Sequence, residues 1–240
     1  WNPNAIRINP DNMYKNEERY NQYLRSRTNK NITTYEKEEL NKYLKKRFSG
    51  YDSEFLYFSY FEINGDEKKI NTLNINKNKK NIFLFPNIEW DVGLTDCHII
   101  FRDLMDWLEF TIESVKNRND IHLYIKAHPG EIHGSSKTQF TIAEKLLLKY
   151  PLLPNNVTLI PPDLGIMPYS LFKYIDVGIV LSGTLGLEMA LNKIPVIVTG
   201  FAPYLRKGFV HEPKDHKEYK NMLLMKNNSL SIDKNKLELF

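Results

Sequence analysis

A single cysteine, Cys97, stands in a chain of 240 residues. One thiol excludes a disulfide framework within the chain and a cysteine-built zinc site. It fits a reducing compartment, and its bland role is that of a small buried residue. No apolar run approaches the roughly 20 residues that cross a bilayer, and no signal peptide is evident. Excess charge of one sign is scarce as well, since 33 Lys plus Arg against 29 Asp plus Glu leave +4. A dedicated nucleic-acid binder shows a stronger and more clustered basic excess, so nucleic acid is not expected as a partner. The mild balance is compatible with an anionic small ligand held at one site. The chain opens on Trp1 rather than Met, and we expect it to be part of a longer protein.

What is present divides the chain in two. Residues 1–80 are polar and rich in Asn, Lys, Tyr and Glu. Segments 14–25 and 34–48 place apolar or aromatic residues at helical spacing, and Thr33 or Thr34 would cap the second. The aromatic stretch 55–61 reads as a strand or a loop, and 64–80 as a solvated linker. The expectation for 1–80 is a helical lead-in without chemistry. Over 81–240 the texture changes. Short apolar runs at 82–85, 121–125, 157–160, 177–181 and 195–198 alternate with helical stretches at 101–115, 140–150, 168–174 and 185–191. Continuous rather than alternating apolar runs mean strands buried on both faces. Strand–helix alternation at this spacing predicts an α/β domain built on a doubly wound parallel sheet, Rossmann-like in kind.

In an open parallel sheet, ligands lie beyond the carboxyl ends of the strands, so the residues just after each run carry the information. After the first run come Pro86-Asn87-Ile88-Glu89-Trp90-Asp91-Val92-Gly93. There Asp91, ahead of Glu89, either faces the cleft as a base or hydroxyl ligand or caps the next turn. After the second come Lys126-Ala127-His128-Pro129-Gly130-Glu131. Proline restricts the residue before it, so His128 has a fixed direction from which it could donate to a phosphate oxygen, protonate a leaving phosphate, or bond a loop carbonyl. Lys126 adds positive charge. After the fourth come Ser182-Gly183-Thr184-Leu185-Gly186-Leu187-Glu188. A helix start exposes N–H groups and favours an anion. Gly183 permits close approach, and Ser182 and Thr184 either add donors or cap the helix. Glu188 either bonds ribose hydroxyls or complements the dipole. After the fifth, Tyr204, Arg206 and Lys207 sit in a Gly- and Pro-bounded loop that either closes over a substrate or is a solvated surface loop. The segment 161–168, also at a strand end, could meet a nucleobase edge.

The ordered series Trp90-Asp91, Lys126-Ala127-His128-Pro129-Gly130-Glu131, Ser182-Gly183-Thr184-Leu185-Gly186-Leu187-Glu188, Pro195-Val196-Ile197-Val198 and Tyr204 through Lys207-Gly208-Phe209 resembles the capsule polysaccharide biosynthesis family. That family is similar to bacterial Kdo transferases and to sialyl- and polysialyltransferases with a His-Pro motif. The resemblance covers about residues 81–220. It implies the C-terminal half of a GT-B fold, in which two Rossmann-like domains face each other across a cleft. It implies a glycosyltransferase acting on a CMP- or UDP-linked sugar donor and a glycan acceptor, with no tightly bound metal or other cofactor. By the same resemblance His128, Ser182 and Thr184 would contact phosphate, Glu188 would lie near the ribose, and 162–167 near the base. Two departures stand out. Ser-Gly-Thr replaces the Ser-Thr or Ser-Ser pair of many relatives, and no N-terminal Rossmann domain is visible in 1–80.

The function expected is therefore sugar transfer in surface polysaccharide synthesis, with Asp91 and His128 as the catalytic candidates. The expected location is the cytoplasm, with peripheral association at the inner face of the membrane or in a biosynthetic complex. Two other functions remain open: a nucleotide-sugar 2-epimerase of the same architecture, and a non-catalytic nucleotide- or glycan-binding module.

Overall fold

The computed structural model describes residues 22, 26, 32–48, 66–89, 99–133, 137–226, 230–233 and 237. Strands β1 (Lys80–Phe85), β2 (Ile121–Lys126), β3 (Val157–Ile160), β4 (Val177–Val180) and β5 (Val196–Val198) form one sheet in the order β3-β2-β1-β4-β5. Every neighbouring pair is parallel. All five apolar runs are strands, because each residue type in them suits burial on both sides. Alternate residues of a strand point to opposite faces. Ile82 and Leu84 of β1 accordingly join one core cluster with Leu123, Ile125, Val177 and Ile179, while Phe83 and Phe85 join the other with Tyr124, Val180 and Val198.

Seven α-helices accompany the sheet among the described residues: α1 (Thr34–Phe48), α2 (Asp66–Thr72), α3 (Leu104–Val115), α4 (Ile142–Lys149), α5 (Pro168–Leu171), α6 (Thr184–Leu191) and α7 (His216–Leu224). Helices α3, α4 and α7 supply apolar residues to the first cluster, and α2, α5 and α6 to the second. The sheet is thus covered on both faces, as its uninterrupted hydrophobicity requires. Capping sets several helix starts. Asp103 accepts the Asp106 N–H at 2.8 Å, Thr141 and Glu144 form a reciprocal capping box, and Asp215 accepts the Glu218 N–H at 2.7 Å. In α1 the cap is Thr33, whose hydroxyl accepts the Glu36 N–H at 3.2 Å. Buried Tyr219 of α7 ties the first layer together. Its hydroxyl lies 3.0 Å from Trp107 Nε1 and 2.7 Å from Thr111 Oγ1.

The structure departs from the sequence reading in two elements. The stretch 64–80 is not a solvated linker. It contains α2, whose Asp66 and Ile70 are buried, and its last residue opens β1. Helix α7 was not expected, because only Tyr219 and Leu223 of its nine residues are buried, a stripe too narrow to read in a charged segment. The expected helix at 14–25, apart from Gln22, and the aromatic stretch 55–61 lie outside the described residues. Among the described residues, no helix is long and apolar enough to cross a membrane.

Candidate functional site

The strand order places a topological switch between β1 and β4, the position at which open α/β sheets bind ligands. A cavity of about 330 Å³ lies there. Its lining includes Phe85, Lys126 and Val180, the last residues of β1, β2 and β4. Asn87, His128, Ser182, Gly183, Thr184 and Glu188 join them. The volume is within the range that small-molecule sites occupy, about 300–1,000 Å³.

The turn after β4 is built around its glycines. Gly183 is the N-cap of α6 with φ 91° and ψ 169°, and no side chain caps the helix. That backbone region is essentially closed to residues with a Cβ. Neither Ser182 nor Thr184 makes a side-chain cap bond here, and a helix start of this kind favours an anion. Buried Tyr204 braces the turn by donating its hydroxyl to the Gly183 carbonyl at 2.7 Å. A Cβ on Gly186 would stand 2.2 Å from that hydroxyl, so this second glycine is needed for close approach.

The second loop is fixed by His128. It caps the 3-10 turn Pro129–Glu131, and its Nδ1 accepts the Gly130 N–H at 3.0 Å. A Cβ on Gly130 would come within 2.9 Å of that nitrogen. Burial, with the Lys126 charge adding to it, pushes the His128 pKa down to about 4. The ring is thus neutral at ordinary pH. With Nδ1 accepting, its proton resides on Nε2, which is a donor. Buried Glu131 accepts the Ile142 N–H at 3.2 Å and so starts α4, and burial lifts its carboxyl to about 7. Lys126 is itself buried and donates to the Ala127 carbonyl at 3.3 Å. Burial lowers its pKa to about 8 against the opposing carboxylates of Asp66 and Glu131. Glu188, only 3% exposed, accepts from the Tyr169 hydroxyl at 3.0 Å.

Lys126, His128, Ser182, Gly183, Thr184 and Glu188 are therefore brought to one cavity. Tyr204, Arg206 and Lys207 are not in its lining. Tyr204 and Lys207 are buried, and Arg206 turns the chain at φ 60° with its N–H donating to Glu212 at 2.6 Å. Of the two readings open for this loop, closing over a substrate or lying solvated at the surface, neither describes Tyr204, which is packed beneath the Gly183 turn. The Gly and Pro content suggested a loop, but composition does not say which way an aromatic side chain faces. Asp91 lies outside the described residues. Glu89 is absent from the cavity lining and pairs with Lys145 of α4. Of the segment 161–168, Pro168 alone lines the cavity.

Two lining residues with polar side chains were missed. Asn87 lies two residues past the end of β1, and its Oδ1 is buried without a hydrogen-bond partner. Its position two residues past a strand was the available signal, overshadowed by the carboxylates after it. Tyr169 had no local signal, because its role depends on Glu188 from another element.

The sequence matches the family model described as capsule polysaccharide biosynthesis protein over residues 9–229. No curated protein sequence matches it. Among solved structures, the fold is similar to the beta Kdo 2,7 transferase of Thermosulfurimonas dismutans KpsC, at 15% identity and a TM-score of 0.42, with 82% of this chain and 57% of that one covered. It is also similar to the beta Kdo 2,4 transferase of the same KpsC, at 14% identity and a TM-score of 0.44, covering 77% and 59%. The chain thus spans less than two thirds of either structure's length. With the family model matched along nearly all of the sequence, this chain belongs to the capsule polysaccharide biosynthesis protein family.

Proposed function

We propose that the chain carries the nucleotide-sugar-binding half of a glycosyltransferase for capsule-type polysaccharide. The observation that carries this reading is the convergence of three kinds of anion-seeking group on one cavity. These are the helix start at Gly183 that no side chain caps, the Nε2 donor of neutral His128, and the buried ammonium of Lys126. Backbone N–H groups and a helix dipole hold a phosphate without a metal ion. Ser182 and Thr184 add hydroxyls beside it. Glu188, an acceptor at the same cavity, suits the ribose hydroxyls of a CMP- or UDP-linked donor.

The chemistry follows from where charge develops. As the glycosidic bond to phosphate breaks, negative charge grows on the phosphate oxygens. Donors already fixed at that position stabilise it without reorganising. Lys126 supplies charge and His128 a directed hydrogen bond. Burial favours the neutral ring of His128, and the role we assign to it is hydrogen-bond donation from Nε2. Asp91 is the carboxylate we assign to deprotonating the glycan acceptor. The reaction would run at the cytoplasmic side, where nucleotide sugars are made and used.

A thermal-shift and calorimetric panel of CMP and UDP tests this. A ligand that binds the folded state raises the melting temperature in a concentration-dependent way. The wild-type chain is expected to respond, and His128→Ala and Ser182→Ala to bind at least about tenfold more weakly, the loss of one charge-assisted hydrogen bond. Wild-type affinity in both variants would contradict the assignment.

A further inference from the structure

One wall of the cavity is held from outside the sheet. Pro168 and Tyr169, the first residues of α5, line it, and α5 has no side-chain cap at its own N-terminus. The missing acceptor comes from Asp66, the first residue of α2. Its Oδ2 accepts the Met167 N–H at 3.0 Å and the Ser170 hydroxyl at 2.6 Å. These two bonds flank Tyr169 on either side along the chain. Lys69 adds a third tie by donating to the Gly165 carbonyl at 3.3 Å, where the backbone turns left-handed at φ 63°.

Asp66 is 2% exposed and its Oδ1 has no hydrogen-bond partner. Burying a carboxylate this way is costly, so a short polar helix gains little from it locally. What the arrangement does fix is the position of residues 167–170. Tyr169 then passes that position on. Its hydroxyl donates to Glu188 Oε2 at 3.0 Å, linking α5 to α6 inside the cavity. A hydrogen bond to one carboxylate oxygen favours one orientation of the group, so its accepting direction is biased before a ligand arrives.

We propose that Tyr169, anchored through Asp66, is a positioning residue that sets the Glu188 carboxylate for the ribose hydroxyls of the bound nucleotide. This rests on the nucleotide-binding reading above. It makes the ribose end of the site depend on α2, an element that precedes the sheet in sequence and belongs to none of its strand–helix units.

The test is calorimetric titration with CMP and UDP and with their 2′,3′-dideoxy counterparts, which lack both hydroxyls. The wild-type chain should prefer the ribose forms. Tyr169→Phe keeps the ring and its edge-on packing with Phe172, centroids 5.5 Å apart, so the fold should survive. It should shrink the ribose preference about fivefold, the effect of losing one ordinary hydrogen bond. Ser170→Ala and Asp66→Ala should shrink it in the same direction. Asp66→Asn retains an oxygen acceptor and should restore most of it. Equal weakening of both nucleotide forms, or an unchanged preference in Tyr169→Phe, overturns the positioning role while leaving nucleotide binding in place. Failure of the wild-type chain to bind either form overturns the nucleotide reading, and the positioning role falls with it.

Discussion

Two buried lysines at opposite ends of neighbouring strands separate what the fold needs from what the site needs. Lys80 opens β1 and Lys126 ends β2. Both are nearly inaccessible, and burial lowers the pKa of each to about 8. Their surroundings differ. Lys80 donates to the Leu223 carbonyl at 3.0 Å and the Met225 carbonyl at 2.7 Å, closing the C-terminus of α7 where a cation complements the helix dipole. Lys126 makes one long bond, 3.3 Å, to the carbonyl of its own neighbour, and it lines the cavity. At the amino edge of the strands a buried ammonium completes the structure. At the carboxyl edge an equally buried one is held by the fold with capacity to spare.

The comparison breaks or holds on a pair of substitutions. Lys126→Met should weaken nucleotide binding on the order of 30-fold or more, the loss of a charge-assisted contact. Its unfolding free energy should stay level or rise, because a buried charge is removed. Lys80→Met should do the reverse. Affinity should hold while stability to denaturant falls by about 1–3 kcal/mol, since buried carbonyls lose their donor. If Lys80→Met weakens binding and Lys126→Met does not, the two roles are misassigned.

Titration sharpens the same contrast. A phosphate beside Lys126 favours its charged form. Binding therefore keeps the full Lys126 contribution below pH 8 and loses it as pH rises above, by about tenfold per unit at most. Calorimetry in wild type and Lys126→Met should show this alkaline decline only in the former. Stability without ligand moves the other way. Each folded pKa lies below the ordinary 10.5, so between pH 8 and 10.5 the unfolded chain binds more protons and stability rises with pH. Both lysines contribute to that rise, whereas only Lys126 contributes to the decline in affinity.

A further expected effect concerns the turn itself. Gly183→Ala places a Cβ at φ 91°, ψ 169°, a strain of about 1–3 kcal/mol. There is room for the methyl, because the nearest atom, Asn87 Nδ2, is 3.6 Å away. The variant should fold with a lower melting temperature and bind nucleotide less well as the turn relaxes.

Much of this was legible in the sequence, for physical reasons that particular residues show. The strands were readable because doubly buried strands must be apolar at every position, as β1 is from Ile82 to Phe85. The loops after β2 and β4 were readable because His-Pro-Gly and Ser-Gly-Thr constrain the backbone within a few residues. What escaped depends on partners far along the chain. Asp66 looks like an ordinary acid in a polar stretch until it meets Met167 and Ser170. Lys80 and Lys126 look alike in sequence, and only the α7 carbonyls tell them apart. The placement of Tyr204 was open in the sequence because its packing against Gly183 and Gly186 leaves no local pattern.

The central claim is that a nucleotide's phosphate rests on the amide groups that open α6. Amide and imidazole nitrogen chemical shifts, followed during titration of the isotope-labelled chain with CMP and with UDP, test it most directly. The account predicts saturable shifts at Gly183, Thr184 and Leu185 and at His128 Nε2, absent with the free nucleoside. Saturable shifts confined to other parts of the molecule, with those nitrogens unmoved, would contradict it.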